Sequence, residues 1–262
     1  MGNTILVKTS KIASTRPDEK KSGGGHSLIS YLPWDSNFFG YRIAAINSNE
    51  LNNELWGKIE SICNAEGIDL LYFECEVTDR ESILTAESAD FNLVDTRLLF
   101  SKRILRGSGI SPIVRKARDS DASALSEMSA TMYTNSRFYF DKHIPDDKCD
   151  ELYRQWIINS LHGYEDIVLL AEVNNSVAGF VSGKYNAPVG DIGLIGVDAR
   201  FVGQGIGSNL LKSVEYNFKL NGITTSRVLT QARNIPAQRL YGKNNYKIER
   251  ITNYYHKWFR GF

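Results

Sequence analysis

The feature that most constrains this chain lies late, at residues 193–214. There the apolar run Gly193-Leu194-Ile195-Gly196-Val197 is followed by the cluster Gly203-Gln204-Gly205-Ile206-Gly207-Ser208, and then by the amphipathic stretch Asn209-Leu210-Leu211-Lys212-Ser213-Val214. A strand that passes through glycines into a helix aims unpaired backbone N–H groups at one place, a ready site for an anion such as a phosphate. Glycine serves there because a side chain would block close approach of the backbone and because some positions need positive φ. Spacing narrows the choice of ligand. A dinucleotide fingerprint needs a third glycine where Ser208 stands, and a nucleotide-triphosphate loop needs a Gly-Lys-Ser/Thr ending that is absent. The loop also follows many strands, whereas the dinucleotide fold places it at its first crossover. A glycine-rich helix start that binds nothing is the remaining alternative.

Around this feature the chain reads as alternating strands and helices. Strands are expected at 42–46, 70–75 and from 98, with helices over 51–65, stopped by Gly67, and over 80–89, so residues 28–105 form a β-α-β-α-β unit. Arg106-Gly107-Ser108-Gly109-Ile110-Ser111-Pro112 reads as a linker. From 112 to 262 the pattern predicts a strand at 113–117, helices through Leu125 and Met128 and over 149–161, and a hairpin of strands 167–173 and 177–183 turned by Asn174-Asn175. A strand at 191–197, a helix over 205–220, a strand at 225–229, a helix over 235–244 and a last strand over 248–258 complete it. Residues 1–27, rich in Lys, Ser and Gly, are expected to be a mobile tail.

Composition excludes several functions. A formal net charge of +1 offers no global field for nucleic acid or an anionic membrane. No apolar run is long enough to span a bilayer, and the N-terminus lacks the core of a secretion signal, so the cytoplasm is the expected location. Three cysteines without CxxC spacing predict neither a disulfide framework nor a metal site.

Residues 194–211 resemble the acyl-CoA signature of the GNAT superfamily of N-acetyltransferases. One departure is Val202, three residues before Gly205, where the family commonly carries Gln or Arg. Further stretches, Trp34-Asp35-Ser36-Asn37-Phe38-Phe39-Gly40, Ser136-Arg137-Phe138, Tyr153-Arg154-Gln155-Trp156-Ile157 and Thr230-Gln231-Ala232-Arg233-Asn234 leading to Tyr241, are similar to the TDP-fucosamine acetyltransferases. That family acetylates the 4-amino group of dTDP-4-amino-4,6-dideoxygalactose for bacterial surface polysaccharide.

The resemblance implies an α/β fold with a mixed, twisted sheet flanked by helices and the cofactor wedged where two parallel strands splay apart, with residues 28–105 a partial copy of the catalytic GNAT fold of 112–262. It implies acetyl-CoA as acyl donor, no metal, a nucleotide-sugar acceptor and no nucleic-acid partner, with a homodimer left open. The cofactor would lie on Leu194, Ile195, Gly196 and Val197 and on the loop Gly203, Gln204, Gly205, Ile206, Gly207 and Ser208. Asn234 and Tyr241, seven residues apart, share a helix face. The resemblance makes Asn234 a cofactor-positioning amide and Tyr241 the proton donor to the CoA sulfur, against the alternative of a core aromatic. A main-chain N–H near Val197 is the expected carbonyl polariser. The general base is unassigned, with His143 and His162 equally readable as surface residues. Arg137 is a substrate candidate through a bidentate grip on a diphosphate while its aromatic neighbour Phe138 stacks a ring, and equally a structural partner of Asp141. Trp34 to Gly40 reads as interdomain packing before nucleotide contact by Asp35. Other acceptor amines, or a non-catalytic acyl-CoA binder, are the competing functions.

Overall fold

In the computed structural model, residues 27–104 and 109–259 are described. Residues 1–26 of the expected tail and Arg106–Ser108 of the expected linker lie outside them. In chain order the elements are β1 (Ile29–Tyr31), α1 (Pro33–Phe39), β2 (Ile43–Ile46), α2 (Asn53–Glu66), β3 (Leu70–Glu76), α3 (Arg80–Ser88) and β4 (Asn92–Arg103). They continue as β5 (Val114–Lys116), α4 (Ala122–Ala130), α5 (Arg137–Phe140), α6 (Asp146–Asn159), β6 (Ile167–Val173), β7 (Ser176–Asn186) and β8 (Val189–Val197). The last are α7 (Ile206–Leu220), β9 (Thr225–Gln231), α8 (Ile235–Lys243) and β10 (Lys247–Trp258).

The chain divides into two compact units, one running to Val94 and taking in Thr252 onward, the other Asp95–Ile251. The boundary expected at 105 to 112 falls inside the second of these units. Pairing explains the difference, since Thr252–Trp258 of β10 run antiparallel to Glu76–Leu70 of β3, while Arg97–Arg103 of β4 pair with Gln231–Thr225 of β9.

In the first unit β1 is antiparallel to β2, and β2 is parallel to β3. Asn52 caps α2 by accepting the Leu55 N–H, and Gly67 ends it at φ 64. Trp56, Ile59 and Cys63 of that helix join Leu71, Phe73, Phe91 and Tyr255 in the unit's core. Burial pushes the Cys63 and Cys75 thiols up to about 12, so both remain uncharged packing groups. The Trp34–Gly40 motif forms α1, where Trp34 stacks on Phe38 at 5.1 Å and Asp35 is buried.

In the second unit the strands lie in the order β4-β9-β8-β7-β6-β5. Only the β8/β9 pair is parallel, joined by the crossover helix α7; the others are antiparallel. Asn174 and Asn175 both have positive φ, which closes the β6–β7 hairpin with the hand its twist requires. Side chains alternate between two cores, as period two dictates. Ile167, Leu169 and Ala171 of β6 face α7, whereas Val168 and Leu170 face α4 and α6 with Leu125 and Ile157. Helix α7 buries Leu210, Leu211, Val214 and Phe218 at helical spacing. Gly190 lets Phe218 lie flat on β8, where a Cβ would stand 2.5 Å from the ring. Full burial of such a side chain contributes about 1.5–3 kcal/mol. No described helix is long and apolar enough to cross a membrane.

Candidate active site

The parallel pairing of β8 with β9 is short. It runs from Val189 opposite Thr225 to Ile192 opposite Val228 and stops. Beyond it, β8 keeps its partner β7 as far as Val197, and β9 keeps β4 as far as Gln231. The two central strands therefore part at Gly193 and leave a wedge open on the side of their C-terminal ends. Register supplies a cause, because between Val181 opposite Ile195 and Gly183 opposite Ile192 a single residue, Ser182, faces both Gly193 and Leu194. This bulge turns β8 away from β9, and the Leu194 N–H that it displaces donates to Ser182 Oγ at 2.9 Å. Gly190–Ile192 are buried, yet Gly193 is exposed and Leu194, Ile195, Gly196 and Val197 are half-buried, as expected of backbone lining a cleft.

At the mouth of the wedge the chain turns through Asp198–Gly205 into α7. Asp198 accepts from the Arg200 N–H and guanidinium, which holds its carboxyl below the usual range. Gly203 and Gly205 have φ of 85 and 79, a region that disfavours side-chain-bearing residues. A Cβ built on either meets no atom within 4 Å. Gly205 caps α7 without any side-chain hydrogen bond. The first helical bond is Asn209 N–H to Gly205 C=O, so the N–H groups of Ile206, Gly207 and Ser208 point outward without intrahelical acceptors. Gln204 and its neighbours are exposed, and Ser208 Oγ accepts from Asn244 Nδ2 at 2.9 Å. An open cradle of amides at a helix start fits a diphosphate. Val202 is 67% exposed and offers the cradle no polar side chain.

Asn234 and Tyr241 come together with this region on α8. Asn234 Oδ1 accepts from the Ala237 N–H and caps the helix, which leaves its amide N–H2 as the group able to reach a ligand. Tyr241 is buried, its ring 5.4 Å from Phe100 and 5.9 Å from Tyr246. Burial alone pushes its hydroxyl well above the ordinary phenol range, so the proton stays on the oxygen at neutral pH. Across the sheet, Tyr133 at the end of α4 belongs to the opposite core. It is nevertheless close enough to Tyr241 for charge on one phenol to disfavour charge on the other, a proximity that the parted strands permit.

Arg137 and Phe138 begin α5. Phe138 is fully buried, with the Arg137 guanidinium 4.0 Å above its ring and Trp156 edge-on at 6.0 Å. It is a core aromatic that supports Arg137, not a surface for stacking a ligand. The Asp141 carboxylate, offered above as a partner of Arg137, accepts from the His143 N–H and lies 3.0 Å from His143 Nδ1. His143 is thereby tied into a local turn, while His162 is exposed beside Gly163.

Two groups escaped the sequence reading. Glu165, just before β6, stands against the apex of the wedge, since a Cβ on Gly193 would lie 2.7 Å from Glu165 Oε1. Asp95 is almost completely buried, with Arg97 Nε 3.9 Å and Arg233 a guanidinium nitrogen 3.8 Å from its carboxylate. Burial pushes the Asp95 carboxyl up to about 6 although Arg97, Arg233 and Arg137 all oppose the shift. A signal for Asp95 and Arg97 exists, as charged residues two apart share one face of an apolar strand. No group of three or more His, Cys, Asp or Glu side chains able to hold a metal occurs among the described residues.

Comparison with known proteins agrees with this geometry. Residues 129–246 match the profile of the Acetyltransferase (GNAT) family. Spore coat polysaccharide biosynthesis protein SpsD of Bacillus subtilis is 28% identical over 138 residues, covering 53% of this chain and 48% of that protein. The chain thus spans about half the length of that relative. Acetyltransferase ECA0875 of Pectobacterium atrosepticum is 29% identical over 113 residues, 40% of this chain and 79% of that one. A solved GCN5-related N-acetyltransferase of Sphaerobacter thermophilus superposes with a TM-score of 0.62 at 14% identity, covering 89% of this chain and 76% of its own. The chain therefore has the GNAT fold, and residues 129–246 are similar to the Acetyltransferase (GNAT) family.

Proposed function

We propose that the protein transfers an acetyl group from acetyl-CoA to the amino group of a nucleotide-linked amino sugar, dTDP-4-amino-4,6-dideoxygalactose or a close relative, for surface polysaccharide. The observation that carries the acetyl-transfer half is the wedge between β8 and β9, which runs from an apex at Gly193 to an uncapped helix start at Gly205. The acceptor half rests on the resemblance and on the relative named for spore coat polysaccharide biosynthesis.

Acetyl-CoA supplies an activated thioester. In this reading the amides of Gly203–Ser208 bind its diphosphate, and Leu194–Val197 pair with its pantetheine arm as an added strand would. An arm that enters at the loop and runs back along β8 brings its reactive end to the apex. There a main-chain N–H at the apex end of β8 polarises the carbonyl, whereas Val197, four residues or about 13 Å along the strand, lies at the mouth. Glu165, standing at the apex, accepts the proton from the attacking amine, and the protonated Tyr241 hydroxyl donates one to the departing sulfur.

A thiol-release assay with acetyl-CoA against a panel of dTDP-amino sugars, including 3-amino and 4-amino regioisomers, tests the proposal. Release is expected with a 4-amino sugar, and Glu165→Gln should lower kcat by roughly 10²–10⁴. Acetyl-CoA binding without release to any amine would instead favour a non-catalytic acyl-CoA binder.

A further inference from the structure

Two tyrosines on opposite faces of the sheet approach each other where that sheet is open. Leu194 and Gly196 of β8 turn toward α4, while Ile195 and Val197 turn toward α7. A Cβ on Gly196 would collide with Met132 Sδ, so the residues that follow α4 lie directly against this stretch of β8. Tyr133, next in the chain, packs in the same cluster as Leu194, whereas Tyr241 belongs to the core beneath α7. Where strands are paired, backbone separates these two cores. Past Ile192 and Val228, β8 and β9 no longer pair, and the gap lets the two phenols feel each other's charge.

Tyr133 brings to this gap a hydroxyl with no partner of its own. Although the residue as a whole is half-buried, its Oη is sealed from solvent and hydrogen-bonded to nothing among the described residues. Native proteins ordinarily resolve such an atom with a partner. Burial holds the proton on the oxygen, which makes it a neutral donor. The side chain is also held still, because its ring stacks on Tyr153 at 4.5 Å and Trp156 meets Tyr153 edge-on at 5.2 Å. The chain around it is tied by the Ser136 N–H donating to Tyr133 C=O at 2.9 Å and by Tyr139 Oη donating to Ala130 C=O at 3.0 Å. A fixed, desolvated donor beside an opening suits the stabilisation of a developing oxyanion.

We propose that the Tyr133 hydroxyl donates a hydrogen bond to the thioester carbonyl oxygen, completing with the β8 main-chain N–H the site where the oxyanion forms. The inference rests on acetyl-CoA occupying the wedge as read above and is indifferent to which amine accepts the acetyl group. As the amine nitrogen bonds to the carbonyl carbon, one C=O electron pair moves onto oxygen and the bond from Tyr133 strengthens. When that pair returns, the C–S bond breaks and the sulfur leaves with the Tyr241 proton, while Glu165 holds the proton taken from the amine. Tyr133 keeps its own proton throughout. Two phenols thus serve two atoms of one thioester, Tyr241 the sulfur from the side of α7 and Tyr133 the oxygen from the side of α4.

Infrared difference spectroscopy of the whole chain saturated with acetyl-CoA, isotope-labelled at its thioester carbonyl, tests the assignment. Tyr133→Phe should move the bound carbonyl stretch to higher wavenumber than in the wild type, and Tyr241→Phe, which alters the partner of the sulfur, should leave it in place. With a dTDP-4-amino sugar as acceptor, Tyr133→Phe should lower kcat by roughly 10²–10³ and leave the KM for acetyl-CoA nearly unchanged. The free Tyr133→Phe protein should melt no lower than the wild type, since the hydroxyl has no protein partner to lose. An unmoved carbonyl band in Tyr133→Phe with acetyl-CoA bound would overturn the assignment and leave the acetyl-transfer reading standing. A band that moves equally in both variants, or a lowered melting temperature of free Tyr133→Phe, would also overturn it. Failure of the wild type to bind acetyl-CoA would remove the assignment and the acetyl-transfer reading together.

Discussion

Replacing Tyr241 by phenylalanine is expected to lower kcat by roughly 10²–10⁴ and leave the KM for acetyl-CoA nearly unchanged, the pattern for losing a general acid. One oxygen is removed while the ring keeps its packing between Phe100 and Tyr246. The phenol is suited to the task because burial holds its proton in place, with no charged neighbour adding to the shift. Tyr246→Phe is the matched control. Its hydroxyl lies 2.8 Å from Ser226 Oγ inside the core, so its loss should cost about 1 kcal/mol of stability and little turnover. Steady-state kinetics of both variants decide the matter. A raised KM at unchanged kcat in Tyr241→Phe would make Tyr241 a positioning residue and leave the sulfur to another proton donor.

The second large effect belongs to Gly205→Val, which should weaken acetyl-CoA binding by a factor of about 10² or more. A branched side chain would project into the space in front of the α7 amides, where nothing of the protein lies within 4 Å of a Cβ. The left-handed backbone at Gly205 also makes valine strained by roughly 1–2 kcal/mol. Gly222→Val separates the two causes, since Gly222 has φ 75 and equally open surroundings at the far end of the same helix. Both variants should lose similar stability in thermal melts, and only Gly205→Val should lose acetyl-CoA in calorimetry. Equal affinities would take the loop out of the donor site.

The parts of this site legible in the sequence are those built by neighbours along the chain. Gly203 to Ser208 announce an uncapped helix start because turn conformation and orphan amides follow from local residue types. Asn174-Asn175 and Gly67 disclose a hairpin and a helix end for the same reason. Parting of β8 from β9 was implied only by the resemblance and could not be read from the residues themselves, as it depends on the register between β7 and β8 at Ser182. The approach of Arg233 to Asp95 escaped because the two residues meet only after folding. Phe138 proves to be a core residue that no local pattern distinguishes from an exposed aromatic. Helix α1 was missed although Pro33 at its first turn and Gly40 at its end are ordinary helix signals, because the aromatic run between them was read as a packing motif. The unit boundary was placed at a glycine-rich stretch, whereas non-local pairing of β10 with β3 sets it.

Amide hydrogen exchange with and without acetyl-CoA tests the central claim most directly. The account predicts slowed exchange in peptides covering Gly193–Val197 and Gly203–Ser208, with protection of the second stretch lost in Gly205→Val. Acetyl-CoA bound at saturation without protection of either stretch would contradict it, because the donor would then lie outside the wedge between β8 and β9.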